Sequence, residues 1–446
     1  YILAFLAKYL NLDAFWEDII WHVCRENKDC FLGSMVEAQL EIYGTAPYKQ
    51  KRMLHRNNVR NFMQTLNLPD DRIAEQERNK KRIVIVTEQL LSIMHAPTLI
   101  TLEFAYILQE KMNYEVCIIT CPLDYHLPFD LWVDPRYYYG GFEGVRDIPY
   151  KGVKIRNIGC SMEDGSLERC SRMLHMIAAW KPWLVLELGV TNPLADLCRE
   201  FTTTVAMAMT TECPVSEADI LIRYVPGTGA YEEACKRELL PYQKQIFMQE
   251  KLPVIAQEAE KECVPDELGL PEGKFFVAVV GNRLDLEIDE AFLNIMKQIM
   301  DAAENVDFAV IGDAEKLQEK LAGTSYGKRI HFLGYCMDLP GTYRALHLYL
   351  NLNPRRLGGG WSSAMALMAG LPVVTLPACD VAYNVGGEFT VTTEEEMVDA
   401  VIRYASDDVF YAQKKQIAIE KGRDGGEQKM LEYVTSLFTR IQENVE

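Results

Sequence analysis

The feature that most constrains this chain is an alternation, repeated twice, of short apolar runs with longer stretches whose apolar residues recur every three or four positions. Ile83-Val84-Ile85-Val86 and Val116-Cys117-Ile118-Ile119 read as buried strands. Between them Pro97-Thr98 open a helix whose apolar face is Ile100, Phe104, Ile107 and Leu108. Further strands are expected at 183–188, 204–209 and 218–222, with a helix at 167–180. A continuous apolar run needs cover on both faces, and intervening helices supply it, so a doubly wound parallel sheet is predicted.

A second series begins after Pro271-Glu272-Gly273, with strands at 275–280, 308–311, 330–333, 346–352 and 373–376 and helices at 290–303, 315–321 and 362–369. A chain of 446 residues is too long for one core. The expected fold class is therefore α/β, with two Rossmann-like doubly wound domains facing a cleft and a small helical region ahead of them. The predicted boundaries are 1–80 (helical), 81–270 (first sheet), 271–420 (second sheet) and 421–446 (a closing helix). Residues 72–82 read as a charged linker, and Tyr137-Tyr138-Tyr139-Gly140-Gly141-Phe142 with 153–158 reads as a hairpin insertion. Ligands of such sheets bind beyond the carboxyl ends of the strands.

Composition narrows the partners. A formal charge of -18 speaks against a protein that covers phosphates with a basic face, so nucleic acid is not expected. The twelve cysteines are scattered without any C-x-x-C pair, which suits free thiols in a reducing, cytoplasmic setting. No apolar stretch approaches the ~20 residues that span a bilayer, so no transmembrane segment is expected. The apolar start is interrupted by Lys8 and lacks a basic leader and a cleavage site, so it is not read as a signal peptide.

The chemistry-bearing segment runs from Ile330-His331-Phe332-Leu333-Gly334-Tyr335-Cys336 through Tyr343-Arg344-Ala345-Leu346 to Arg355-Arg356-Leu357-Gly358-Gly359-Gly360-Trp361-Ser362-Ser363 and Gly370-Leu371-Pro372-Val373-Val374. Three glycines after a strand let backbone approach an anion closely. Ser362 and Ser363 then open a helix, where free N–H groups and the helix dipole favour phosphate. A tight turn without a ligand is the alternative.

In this order the motifs resemble the carboxyl-terminal domain of GT-B glycosyltransferases, over roughly 276–375. The stretch 359–363 and the continuation 372–377 are more similar to the family of O-GlcNAc transferases and bacterial adhesin glycosyltransferases than to the glycogen-synthase-like family. The resemblance implies a nucleotide-sugar donor, UDP-linked, and a protein or cell-surface-glycan acceptor. It implies no cofactor and no metal, since the leaving diphosphate is neutralised by helix ends and basic side chains. Asp285, Glu287 and Asp289 accordingly read as capping and solvated acids, not as metal ligands.

By the same resemblance the donor is held by Arg283, by Gly358, Gly359, Gly360, Ser362 and Ser363, and by backbone around Tyr335 and Cys336. Leu357 and Met365 stand where polar residues are expected, and Ile288 stands where a lysine is often found. Arg355 or Arg356 could supply the missing charge, because a guanidinium forks onto phosphate oxygens. His95 is the first candidate for the acceptor's base and Glu187 the second, followed by His126. Two competing readings are a catalytically silent GT-B module that partners an active transferase, and a sugar-nucleotide epimerase. An oligomer is compatible with all of them.

Overall fold

The computed structural model describes residues 28–30, 33, 47–66, 68, 72–88, 90–91, 95–123, 143–161, 163–189, 192–224, 229–255, 263–281, 284–336, 338–350, 360–377 and 379–445. They form two compact units, one of residues 1–250 and 434–446, the other of residues 251–433. The division falls after Glu250, not at 270/271, because Val254 and Leu270 pack into the core of the second unit. The Tyr137–Phe142 stretch and His126 lie outside the described residues.

The first unit carries an eight-stranded sheet in the order β3-β4-β2-β1-β5-β6-β7-β8. Its elements in chain order are α1 (Tyr48–Thr65), β1 (Asn79–Thr87), α2 (Ala96–Tyr106), β2 (Glu115–Thr120), β3 (Gly144–Tyr150) and β4 (Val153–Gly159). They continue with α3 (Ser166–Trp180), β5 (Pro182–Leu188), α4 (Pro193–Leu197), β6 (Thr203–Met207), β7 (Ile220–Arg223), α5 (Gly229–Arg237) and β8 (Lys244–Phe247). All pairings are parallel except β3 with β4, a hairpin whose first arm is 144–150 and not the 137–142 stretch expected from the sequence.

Alternation along the strands divides the core. Val84, Val86, Cys117, Ile119 and Val185 face one layer, where Met173, Leu174 and Ile177 of α3 cover them. Helix α2 lies against β1, β2 and β4. It is tied to the hairpin by the buried Glu103, whose carboxylate accepts from Tyr150 Oη at 2.6 Å and from Lys151 Nζ at 2.8 Å. Two partners compensate a carboxylate that burial alone would penalise.

The second unit holds a five-stranded sheet in the order β11-β10-β9-β12-β13. Its strands are β9 (Phe275–Gly281), β10 (Val306–Gly312), β11 (Ile330–Gly334), β12 (Leu348–Leu350) and β13 (Val373–Val374). Its helices include α6 (Glu290–Ala302), α7 (Glu315–Leu321), α8 (Leu339–Arg344), α9 (Gly360–Met368) and α10 (Cys379–Val385). Then come α11 (Glu394–Ser406), α12 (Asp408–Gly422) and α13 (Glu427–Val445).

Along β9, Val277 and Val279 meet Phe292 and Met296 of α6 and Met397 and Val401 of α11. Phe276, Ala278 and Val280 meet Tyr343, Met365 and Val381 on the opposite face. This is the two-sided cover that the apolar run predicts. Asp289 caps α6 by accepting from Phe292 N at 2.8 Å.

The ends of β9 and β10 approach so closely that a Cβ on Gly312 would lie 1.7 Å from the Gly281 carbonyl oxygen, and Gly312 has φ +125°. Neither backbone nor side chain can absorb that clash. Gly312→Ala should destabilise the protein by at least about 2 kcal/mol, read as a lower urea midpoint of the transition that unfolds the second unit. An unchanged midpoint would contradict the packing described.

Candidate functional site

In the second sheet the chain runs outward from β9 through β10 to β11, then returns to the other side of β9 for β12 and β13. The sheet therefore reverses its winding between β9 and β12, and such a switch point leaves a crevice at the strands' carboxyl ends. β9 ends at Gly281 and β12 at Leu350. The segments that follow, 282–283 and 351–359, contain Arg283, Arg356, Gly358 and Gly359 and lie outside the described residues. Topology thus brings the two predicted phosphate-binding segments out of neighbouring strands.

Beyond the second segment, Gly360 begins α9, and its lack of a side chain is required. A Cβ there would meet Asn384 Nδ2 at 2.6 Å and Asp380 Cβ at 2.9 Å, so α9 starts pressed against α10. Ser362 Oγ is 3.1 Å from Tyr349 Oη, and Tyr343 Oη donates to the Ser362 carbonyl at 3.1 Å. Ser363 is fully buried and its hydroxyl donates to the Gly360 carbonyl at 2.9 Å. The two serine hydroxyls thus serve the helix start, and what the start can offer an anion is its backbone N–H groups.

Tyr335 is 58% exposed just past β11, beside the half-buried Cys336, whose thiol burial pushes up. Ile288 and Met365 belong to the cores on opposite faces of the sheet. The apolar residues at these positions therefore have a packing role. Asp285 accepts from Leu317 N at 2.8 Å and Lys316 N at 3.1 Å, capping α7. Among the described residues no cluster of His, Cys, Asp and Glu could hold a metal ion.

The first sheet switches direction between β1 and β5. His95 follows β1 and Glu187 is the penultimate residue of β5, so both predicted base candidates flank this second switch point. Thr98 Oγ1 accepts from Leu91 N at 2.8 Å and lies 3.0 Å from His95 Nδ1. Its own hydrogen is then available to Nδ1, an assignment that leaves the neutral ring protonated at Nε2. Burial pushes the His95 imidazole down to about 4.

Glu187 is 3% exposed. Its Oε1 accepts from Asn192 N at 2.5 Å, and the Ser216 hydroxyl is a further hydrogen-bonding neighbour of the carboxyl. Burial first, then the negative charge of Asp196, raises its carboxyl well above the usual range, partly offset by His55 and the Asn192 N–H. Sequence reasoning missed the residues that create this environment. Asp196 is bonded to the buried His55 and accepts from Ser216 Oγ at 2.6 Å, and no local motif links positions so far apart.

Two doubly wound sheets, each with its switch point, define the GT-B fold, and solved structures share it. A mutant O-GlcNAc transferase of Thermobaculum terrenum superposes with a TM-score of 0.63 at 16% identity, over 93% of this chain and 78% of that one. Anabaena HepE in complex with UDP gives 0.55 at 13% identity, over 81% and 100%. The pneumococcal O-GlcNAc transferase GtfA in complex with UDP and GlcNAc gives 0.53 at 10%, over 82% and 99%. At such identities the likeness is one of fold. Residues 276–407, within the second unit, match the family model described as Glycosyl transferases group 1. No curated protein sequence matches the chain.

The depressed His95 carries a stability signature. Its folded value of about 4 lies below the ~6.5 of an unfolded histidine, so the unfolded chain takes up the proton first. Its contribution is fully present above pH ~6.5 and is lost as the pH falls toward 4. His95→Gln should flatten the stability–pH curve across that window, measured by urea unfolding at stepped pH. A variant curve parallel to wild type would show that the ring is not held neutral.

Proposed function

We propose that the protein is a glycosyltransferase that moves a hexosyl group from a UDP-linked sugar to a protein or cell-surface-glycan acceptor in the cytoplasm. The observation that carries this reading is the emergence of both predicted donor-binding segments from β9 and β12, the strands flanking the switch point of the unit that holds the match to Glycosyl transferases group 1. Support for UDP comes from the fold relatives whose structures hold it. We assign Arg283, Arg356 and the N–H groups of the glycine turn, Gly358 to Gly360, to the departing diphosphate. Preorganised donors stabilise developing charge better than water does. Backbone around Tyr335 and Cys336 is assigned to the base, and Ser362 and Ser363 contribute their N–H groups.

In the transfer, the acceptor oxygen bonds to the anomeric carbon as the bond from that carbon to the diphosphate oxygen breaks. The acceptor's proton passes to a base, for which His95 and Glu187 are the candidates. The low-pH limb of kcat/KM separates them. A limb near pH 4 assigns the proton to His95, after a tautomer exchange that frees Nε2. A limb well above the usual carboxylate range assigns it to Glu187.

The silent-module reading is favoured by one observation: Ile288 and Met365, at positions where polar donor contacts are expected, are sealed into the cores. Calorimetry with UDP distinguishes the two. The transferase reading expects binding that Arg283→Ala weakens by about 10- to 100-fold, the worth of a charge-assisted contact, together with UDP release from a nucleotide sugar. Absence of both UDP binding and turnover would leave the module reading.

A further inference from the structure

Two thiols meet where the segment joining β6 to β7 passes the buried face of α5. Cys213 lies in that segment and Cys235 in the last turn of α5, both as free thiols, at 2% and 0% exposure. Their side chains hydrogen-bond to each other. Tyr231 stands four residues before Cys235, on the same face of the helix, and its hydroxyl accepts from Cys213 N at 2.8 Å. Helix α5 is itself fixed to the end of β7, because Glu232 pairs with Arg223 through both carboxylate oxygens, at 2.9 and 3.2 Å. The seating of the helix therefore holds the two thiols together.

The two sulfurs are not equivalent. Tyr48 Oη lies 3.3 Å from Cys213 Sγ and 3.0 Å from the Pro214 carbonyl, so its hydrogen can serve a thiolate at position 213. The Cys235 thiol, then Tyr48 and the guanidinium charges of Arg223 and Arg52, bring the Cys213 thiol down against the cost of burial. Cys235 is pushed up, first by donating to Cys213 and then by burial. Cys213 also lines the small open pocket past the carboxyl ends of β5 and β6, beside Glu212, Pro214 and Ser216, and Cys235 does not. That pocket has room for about one water. A sulfur that forms a thiolate and that a water-sized molecule can reach, with a second thiol in contact behind it, is the arrangement of a nucleophilic and a resolving cysteine.

We propose that Cys213 and Cys235 form a peroxide-responsive pair: hydrogen peroxide enters the pocket and oxidises the Cys213 sulfur, and Cys235 then closes a disulfide. The Cys213 thiolate attacks one peroxide oxygen, so that an S–O bond forms as the O–O bond breaks and Cys213 becomes a sulfenic acid. The other oxygen leaves as hydroxide and takes the proton that the thiol released. The Cys235 sulfur next attacks the Cys213 sulfur. The S–S bond forms, the S–O bond breaks, and hydroxide departs with the Cys235 proton as water. Two thiols lose two electrons in total, and one peroxide is reduced to two waters. The bond ties the segment that carries Ser216, the neighbour of Glu187, to α5. None of this rests on the transferase reading.

A second thiol pair supplies an internal comparison. Cys121 and Cys160 follow the paired ends of β2 and β4 and hydrogen-bond to each other, but neither lines the pocket. The full chain, reduced and freed of reductant, is exposed to equimolar hydrogen peroxide, quenched with an alkylating agent in denaturant and followed by peptide mass spectrometry. The first link to form should join Cys213 to Cys235, and dithiothreitol should reverse it. In Cys235→Ser, dimedone present during exposure should tag Cys213, and no link should form there. The folded chain should favour hydrogen peroxide over tert-butyl hydroperoxide by about tenfold more than the urea-unfolded chain does, because the pocket excludes the larger oxidant.

The proposal is overturned if a link between Cys121 and Cys160, or any other, forms first, or if Cys213 takes up no dimedone in Cys235→Ser. It is equally overturned if the folded chain discriminates between the two oxidants no better than the unfolded chain. The order of linkage and the oxidant preference are both read on the wild-type chain, so they decide the matter even where the variant fails to fold.

Discussion

The pairing of one central strand with parallel neighbours on both edges is the constraint on which each unit depends. β1 lies between β2 and β5, and β9 lies between β10 and β12. A strand held this way has no free edge and both faces covered, so its paired stretch is buried on both sides, as β5 is at every residue, Glu187 included. It also forces the chain to wind away in two opposite directions. The loops that leave the carboxyl ends then diverge, and the residues at the divergence are the ones no crossover helix covers. His95 and Glu187 occupy such positions in the first sheet, and the strand ends Gly281 and Leu350 mark them in the second. Sheet topology, more than any single motif, sets where such positions fall.

Much of the architecture was legible because burial on both faces writes a continuous apolar run. The strands at Ile83, Val116, Trp183, Phe275 and Phe308 were readable in this way. β8 was not. Lys244–Phe247 mixes polar and apolar residues because it is an edge strand. Helices α8 and α10 are short, and neither offers enough turns for a period to show. β12 and β13 are shorter than their apolar runs, since Leu346 and Leu376 pack in the cores without joining the ladder.

Helix α1 shows a deeper limit on reading by periodicity. It buries Arg52, His55 and Asn58, so its buried face is partly polar. Arg52 donates to the Ser216 carbonyl and to Gln243 Oε1 at 3.0 Å, and His55 bonds Asp196. These partners lie far along the chain and carry no spacing signal. The same network sets the environment of Glu187, which no spacing in the sequence reveals. In the second unit the motif order pointed to a glycine turn at 358–360, of which Gly358 and Gly359 lie outside the described residues. It could not tell that Ile288 and Met365 are core residues, because an apolar side chain at a ligand position and one in a core look alike in sequence.

Helix α13 begins in the second unit and ends in the first, where Arg440 donates to the Phe247 carbonyl at 2.6 Å and Gln442 donates to Tyr114 Oη at 2.8 Å. The second unit is therefore an insertion, entered after Glu250 and left after Tyr433. During synthesis the chain lays down most of the first unit early but cannot complete it until residues 434–446 leave the ribosome. The inserted unit, contiguous from Lys251 to Tyr433, is free to condense before that moment. Order of appearance and order of completion are thus reversed between the two halves, and the first sheet waits with Tyr114 uncovered by its final helix.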